Sequence, residues 1–179
     1  FMGDYAGDSL TTSSNNIAIG YEAVTAATTA SDCTIIGHQA GDALTTGTQN
    51  TALGHIALTS ATTGSNNTAI GREALKLTYG DGNTAVGRAA GEDISTGSNN
   101  ICVGANSGRA GSPSGAIGGS SHTICLGNNS ITDFFCADTS ISSSDSRDKT
   151  DVTNFNIGLN WIKALRPVTY RWDRRTWYG

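Results

Sequence analysis

The sequence predicts an all-β protein: a parallel β-roll or β-helix solenoid of about eight 17-residue turns, followed by the α+β beginning of a second module. Three observations lead there. A five-residue phrase ending in glycine recurs at a nearly constant interval, apolar residues keep fixed places within it, and charge and composition change abruptly near Ser144. A repeat of this kind marks a solenoid, in which each turn buries its apolar side chains against the next.

The phrase reads Asn16-Ile17-Ala18-Ile19-Gly20, Asn50-Thr51-Ala52-Leu53-Gly54, Asn67-Thr68-Ala69-Ile70-Gly71, Asn83-Thr84-Ala85-Val86-Gly87 and Asn100-Ile101-Cys102-Val103-Gly104. Degenerate copies end at Gly37 and Gly127, and Gly3 closes one more. Successive glycines are 17, 17, 17, 17, 16, 17 and 23 residues apart, which places one insertion in the last turn. With 23 glycines, 2 prolines and much Ser, Thr, Asn and Ala, the composition alone could describe a disordered chain. Disorder gives no reason to hold aliphatic residues in phase, so the period decides against it.

Within the phrase, the residue before glycine is always aliphatic: Ile19, Ile36, Leu53, Ile70, Val86, Val103 and Leu126. The preceding residue points the other way along a strand and is mostly small: Ala18, Ile35, Ala52, Ala69, Ala85, Cys102 and Cys125. Two apolar columns predict a strand buried on both faces, one inside the coil and one against another surface. Small residues allow coils to approach closely, so Ala18, Ala52, Ala69, Ala85, Cys102 and Cys125 are the expected contact face of a symmetric trimer. The alternative is that alanine there merely tolerates exposure. A third small column (Ala6, Ala23, Ala40, Ala57, Ala74, Ala90, Ser107) follows each glycine, and Thr/Ser/Gly text such as Leu44-Thr45-Thr46-Gly47 turns the chain. The column Asn16, Asn50, Asn67, Asn83 and Asn100 is read as structural, with stacked amides bonding from turn to turn. At about 4.8 Å per turn the coil would be on the order of 40 Å long.

The formal charge of -4 hides a division. Residues 1–143 carry 4 basic against 11 acidic side chains, and residues 144–179 carry 7 against 4, giving -7 and +3. All three tryptophans lie beyond that border. The expected organisation is therefore a stalk over 1–127, a connector over 128–143 and a second module over 144–179. An acidic stalk without a phosphate loop argues against nucleic-acid binding. No apolar run is long enough to span a bilayer and no signal peptide is present, so no membrane insertion is expected. The chain opens at Phe1, which predicts an internal fragment.

Other chemistry is sparse. Cys33, Cys102, Cys125 and Cys136 have no Cys-x-x-Cys spacing, so neither a metal site nor any other cofactor is expected, and Cys102 and Cys125 read as small buried hydrophobes with free thiols. His38 and His55 stand one repeat apart in a column with Asp4, Tyr21, Arg72 and Arg88, and read as a solvated ladder. Glycoside hydrolysis needs two carboxylates flanking one bond, and Glu22 and Glu73 share a column but lie three repeats apart.

The phrase Asn-Thr-Ala-Ile-Gly followed by two residues and Ala resembles the head repeat of trimeric autotransporter adhesins of the YadA type, with related repeats in phage tail fibres. That resemblance spans residues 3–127 and implies a β-roll, three copies of which pack about an axis and present a binding surface. Beyond the border, Ser144-Asp145-Ser146-Arg147-Asp148-Lys149 precedes Gly158-Leu159-Asn160-Trp161-Ile162-Lys163-Ala164-Leu165-Arg166-Pro167-Val168-Thr169-Tyr170. Trp161, Ile162 and Leu165 mark a short helix stopped before Pro167, and Val168, Tyr170 and Trp172 alternate as a strand. This text resembles the intramolecular chaperone at the C-terminus of phage tailspikes, endosialidases and neck appendages, and of myelin regulatory factor. The family continues into long helices, so the end at Gly179 predicts a truncated chaperone.

The chaperone resemblance implies a chemistry and a setting. A serine hydroxyl becomes nucleophilic when a neighbouring base takes its proton, and a lysine serves once burial lowers its pKa. By resemblance Ser144 is the nucleophile and Lys149 the base, the bond cut is Ser143–Ser144, and Asp145 and Arg147 orient the turn. The expected function is a structural component of a trimeric phage tail fibre or appendage that contributes to host attachment. Its expected partners are itself, other tail or baseplate proteins, and a host-surface receptor or polysaccharide. The expected location is the virion, after assembly in the host cytoplasm. Two alternatives stand beside it: a trimeric bacterial surface adhesin and a tailspike polysaccharide depolymerase. No substrate-directed enzyme activity is expected beyond autocleavage.

Overall fold

A computed structural model describes residues 2–133, which form a parallel β-solenoid; Phe1 and residues 134–179 lie outside the described part. Its strands are β1 (Ile17–Ile19), β2 (Thr34–Ile36), β3 (Thr51–Leu53), β4 (Thr68–Ile70), β5 (Thr84–Val86), β6 (Ile101–Val103) and β7 (Ile124–Leu126). They form one parallel sheet in sequence order. Each residue pairs with its counterpart one repeat later, as in Thr51 with Thr68, Ala52 with Ala69 and Leu53 with Ile70. The longer last turn keeps this register, with Cys102 opposite Cys125. Eight turns were expected and seven strands form; the copy ending at Gly3 contributes an isolated bridge between Met2 and Ile19.

A 17-residue turn must bend sharply, and the left-handed backbone positions show where. Three columns adopt positive φ: Asn15, Asp32, Gln49, Asn66 and Asn99 before the strand, Glu22, Gln39, Ile56 and Glu73 after it, and Val24, Leu58 and Leu75 two residues on. Asn and Asp tolerate this conformation, whereas Val24 (φ 59°) and Ile56 (φ 50°) adopt it against their β-branched side chains. Turn-to-turn bonding continues outside the sheet, as in Gln39 N–H to Tyr21 O (2.9 Å), Ile56 N–H to His38 O (2.9 Å) and Leu58 N–H to Ala74 O (3.0 Å). That continuity satisfies backbone groups that three-residue strands alone would leave unpaired. The phrase-ending glycine is required by contact as well as by φ. A Cβ on Gly54 (φ +145°) would lie 2.6 Å from the carbonyl carbon of Gly71 on the next turn.

The core corrects the expected direction of the strand. The small column lies inside the coil: Ala18, Ala52, Ala69, Ala85, Cys102 and Cys125 are 0–5 % exposed within a single chain. They therefore cannot be the face between chains. The aliphatic column before the glycine points outward instead, with Leu53 and Leu126 about half exposed. The reason lies on the opposite wall. Four and seven residues past each glycine stand two inward columns that complement each other: Val24/Ala27, Gly41/Leu44, Leu58/Ala61, Leu75/Thr78 and Gly91/Ile94. One bulky side chain per turn, supplied from either column, fills the space that an alanine in the strand leaves. A Cβ added at Gly91 would approach Leu75 Cδ2 to 2.9 Å and Ile94 Cδ1 to 3.0 Å, so a second bulky group has no room. In the last turn Ile117, carried by the insertion, fills the space beside Gly108.

The asparagine column clamps turns together, as expected, but mainly through backbone partners. Asn67 Oδ1 accepts from Asn83 N–H (2.9 Å) and its Nδ2 donates to Gly80 O (2.9 Å), both on the following turn. Asn50 and Asn83 repeat the pattern through Gly64 O and Gly97 O. Asn50, Asn67, Asn83 and Asn100 are fully buried, and a buried amide with both ends bonded satisfies polar groups that the narrow core could not otherwise accommodate. Cys33 occupies this column in the second repeat, and its thiol reaches Gly47 O at 3.6 Å.

Candidate functional site

The sheet presents two outward columns. The first position of each strand gives Ile17, Thr34, Thr51, Thr68, Thr84, Ile101 and Ile124; the third gives Ile19, Ile36, Leu53, Ile70, Val86, Val103 and Leu126. Neither column contains a charged residue, and seven of their side chains are among the exposed large hydrophobics of the coil. Sequence reasoning found the aliphatic column but turned it inward. The signal that reverses it is the bulky residue alternating between the two opposite columns, which already fills the core.

Next to this face runs the ladder that begins one residue after each glycine. Tyr21 and His38 stack with ring centroids 5.4 Å apart, and His38 stacks on His55 at 5.1 Å, as the sequence expects. Tyr5, from a neighbouring column, meets Tyr21 edge-on at 6.1 Å. Arg72 and Arg88 continue the ladder, exposed, and Arg72 contacts Glu73 at 2.9 Å. The Glu22 carboxylate accepts from Gln39 Nε2 (2.8 Å), and its hydrogen bond and charge raise the pKa of the Tyr21 phenol. Because the rings cover one another's faces, the ladder offers edges to solvent rather than flat stacking platforms.

Charges elsewhere are arranged in short vertical runs. Glu92 lies between Lys76 (3.8 Å) and Arg109; Arg109 Nε stands 3.0 Å from Glu92 Oε2, close enough for an ion contact but without hydrogen-bond alignment. Asp8, Glu22 and Asp42 line one open cleft with Tyr5, Ser9 and Thr25, a grouping missed from sequence although Asp8 and Asp42 stand in one column two repeats apart. Thr25 Oγ1 donates to Asp42 Oδ1. Glu22 and Glu73 are not brought together. Among the described residues, no group of three or more His, Cys, Asp or Glu could hold a metal ion. No helix there is long and apolar enough to cross a membrane.

Cys33, Cys102 and Cys125 are buried and free, as expected of small core residues. Burial pushes the Cys102 thiol up to about 12, with Cys125 beside it adding to the effect, so Cys102 is a packing group and not a nucleophile. Ser143, Ser144, Asp145, Arg147 and Lys149, together with the expected helix near Trp161 and strand at Val168, lie outside the described residues. Cys136 lies there too.

No curated protein and no solved structure matches the chain. One family does match, over the basic, tryptophan-bearing module and beginning at the serine expected to be the nucleophile: residues 144–177 match the peptidase family described as the chaperone of endosialidase.

Proposed function

We propose that this chain is part of a homotrimeric fibre of the phage tail-fibre or tailspike kind, ending in an intramolecular chaperone that assists trimer folding and is released by self-cleavage. The observation that carries the reading is the order of parts: a parallel β-solenoid followed by a chaperone-of-endosialidase match at residues 144–177. Each turn pairs only with the next, 16–23 residues on, so the single coil can propagate from turn to turn. The step that calls for an attached chaperone is bringing three such coils together in one register. The stalk then serves in the virion, assembled in the host cytoplasm, with other tail or baseplate proteins at one end. A host-surface receptor or polysaccharide is its external partner.

Self-cleavage would run through Ser144. Its hydroxyl attacks the carbonyl carbon of Ser143 while the Lys149 amine takes the hydroxyl proton and passes it to the leaving Ser144 nitrogen. Water then opens the resulting ester, leaving a carboxylate on Ser143 and a free amine on the chaperone. Asp145 and Arg147 hold the turn. The test is a denaturing gel of the full-length protein beside its Ser144→Ala variant. Two fragments meeting at Ser143–Ser144 are expected for the parent and one uncut chain for the variant; identical patterns would refute the serine–lysine assignment.

A further inference from the structure

We propose that copies of this chain meet through the outward face of the β1–β7 sheet, side by side, parallel and in register. The inference rests on the homotrimeric reading above and gives it a surface, in place of the alanine column that the core has taken. Leu53, Val86, Val103 and Leu126 stand on this face 47, 38, 42 and 49 % exposed, and Ile17 and Ile101 flank them at 50 and 41 %. The interior cannot take these side chains, because the wall opposite already supplies one bulky residue per turn. They can leave water only against something outside the coil.

The face selects its occupant by period. Its apolar side chains recur about every 4.8 Å over seven strands, a strip on the order of 30 Å long. Contiguous apolar surface of that extent on a soluble chain marks an interaction site. A globular partner has no matching repeat, whereas a copy rotated about an axis parallel to the coil offers the same rungs at the same heights. Rotation of that kind also places residue 133 of every copy at the same end of the assembly. In-register packing covers every rung; sliding by one leaves an end rung bare. The absence of charge in both columns removes like-charge repulsion, which would otherwise oppose identical surfaces meeting across a symmetry axis.

Sedimentation velocity on the full chain tests this. Leu53→Glu/Val86→Glu is expected to convert a trimer to monomer with the β circular dichroism spectrum retained, while Leu77→Glu, equally apolar and 41 % exposed but off this face, leaves the trimer intact. Should the double variant misfold, Val86→Cys in a Cys136→Ser background decides. Oxidation with copper phenanthroline is expected to give a disulfide-linked dimer at least tenfold more abundant than Leu77→Cys gives. A trimer that survives the double substitution, or one in which Val86→Cys does not cross-link above Leu77→Cys, overturns the surface while leaving the trimer reading in place. A monomeric parent overturns both.

Discussion

Thr78 occupies a position that Ala27 and Ala61 fill in other turns, and its hydroxyl is buried without a hydrogen-bond partner. Thr78→Val keeps the shape and removes the orphaned group, so it should stabilise the coil by about 1–2 kcal/mol, read as a higher denaturant midpoint at unchanged slope. Asn67 is the opposite case. Asn67→Ala strands Gly80 O and Asn83 N–H inside the coil and should cost about 2–4 kcal/mol in the same measurement. For Cys102 the raised pKa carries a sign. The folded state favours the neutral thiol, so the contribution is complete below its ordinary value of 9.0 and is lost as pH rises toward about 12. Iodoacetamide at pH 8 should therefore leave Cys102 unmodified in the native protein and alkylate it in guanidinium, as peptide mapping would show. The asparagine role was legible in sequence because its column repeats one residue type; Cys102 and Cys125 were legible as small apolar groups, but not as lining the inside of the coil. Thr78 was not, because an orphaned hydroxyl depends on neighbours that no single repeat reveals.

At the scale of the turn, the two inward columns behave as one volume shared between two positions. Gly91→Leu alone should overfill the core by a full side chain and destabilise it by about 1–3 kcal/mol. Gly91→Leu with Ile94→Thr copies the native Leu75/Thr78 pair, including a left-handed leucine, and should recover most of that loss. The non-additivity in a double-mutant cycle is the readout, and additive effects would contradict the shared-volume account. This compensation also explains what sequence reasoning reversed. Strand position, register and the 17-residue turn follow directly from the glycine phrase. Which side of the strand faces inward does not, since both columns are apolar and alternation alone cannot orient them. The answer sits in Leu58/Ala61 and Gly91/Ile94, whose pairing is visible only when both columns are read together.

For the molecule as a whole, charge and tryptophan place a border near Ser144 in the sequence, and the chaperone match begins at that residue. A repeat encodes its own architecture redundantly, so one misread column does not disturb the fold. A catalytic pair has no such redundancy, and Ser144 and Lys149 rest on a single short motif. In the trimer proposed above both modules have a place: neighbouring copies cover the outward face of the coil, and the chaperone has an assembly to act on. The mass of the full chain by sedimentation equilibrium tests this most directly. Three times the mass of one chain, unchanged across a tenfold dilution, is the result the account predicts; a stable monomer at all concentrations would contradict it.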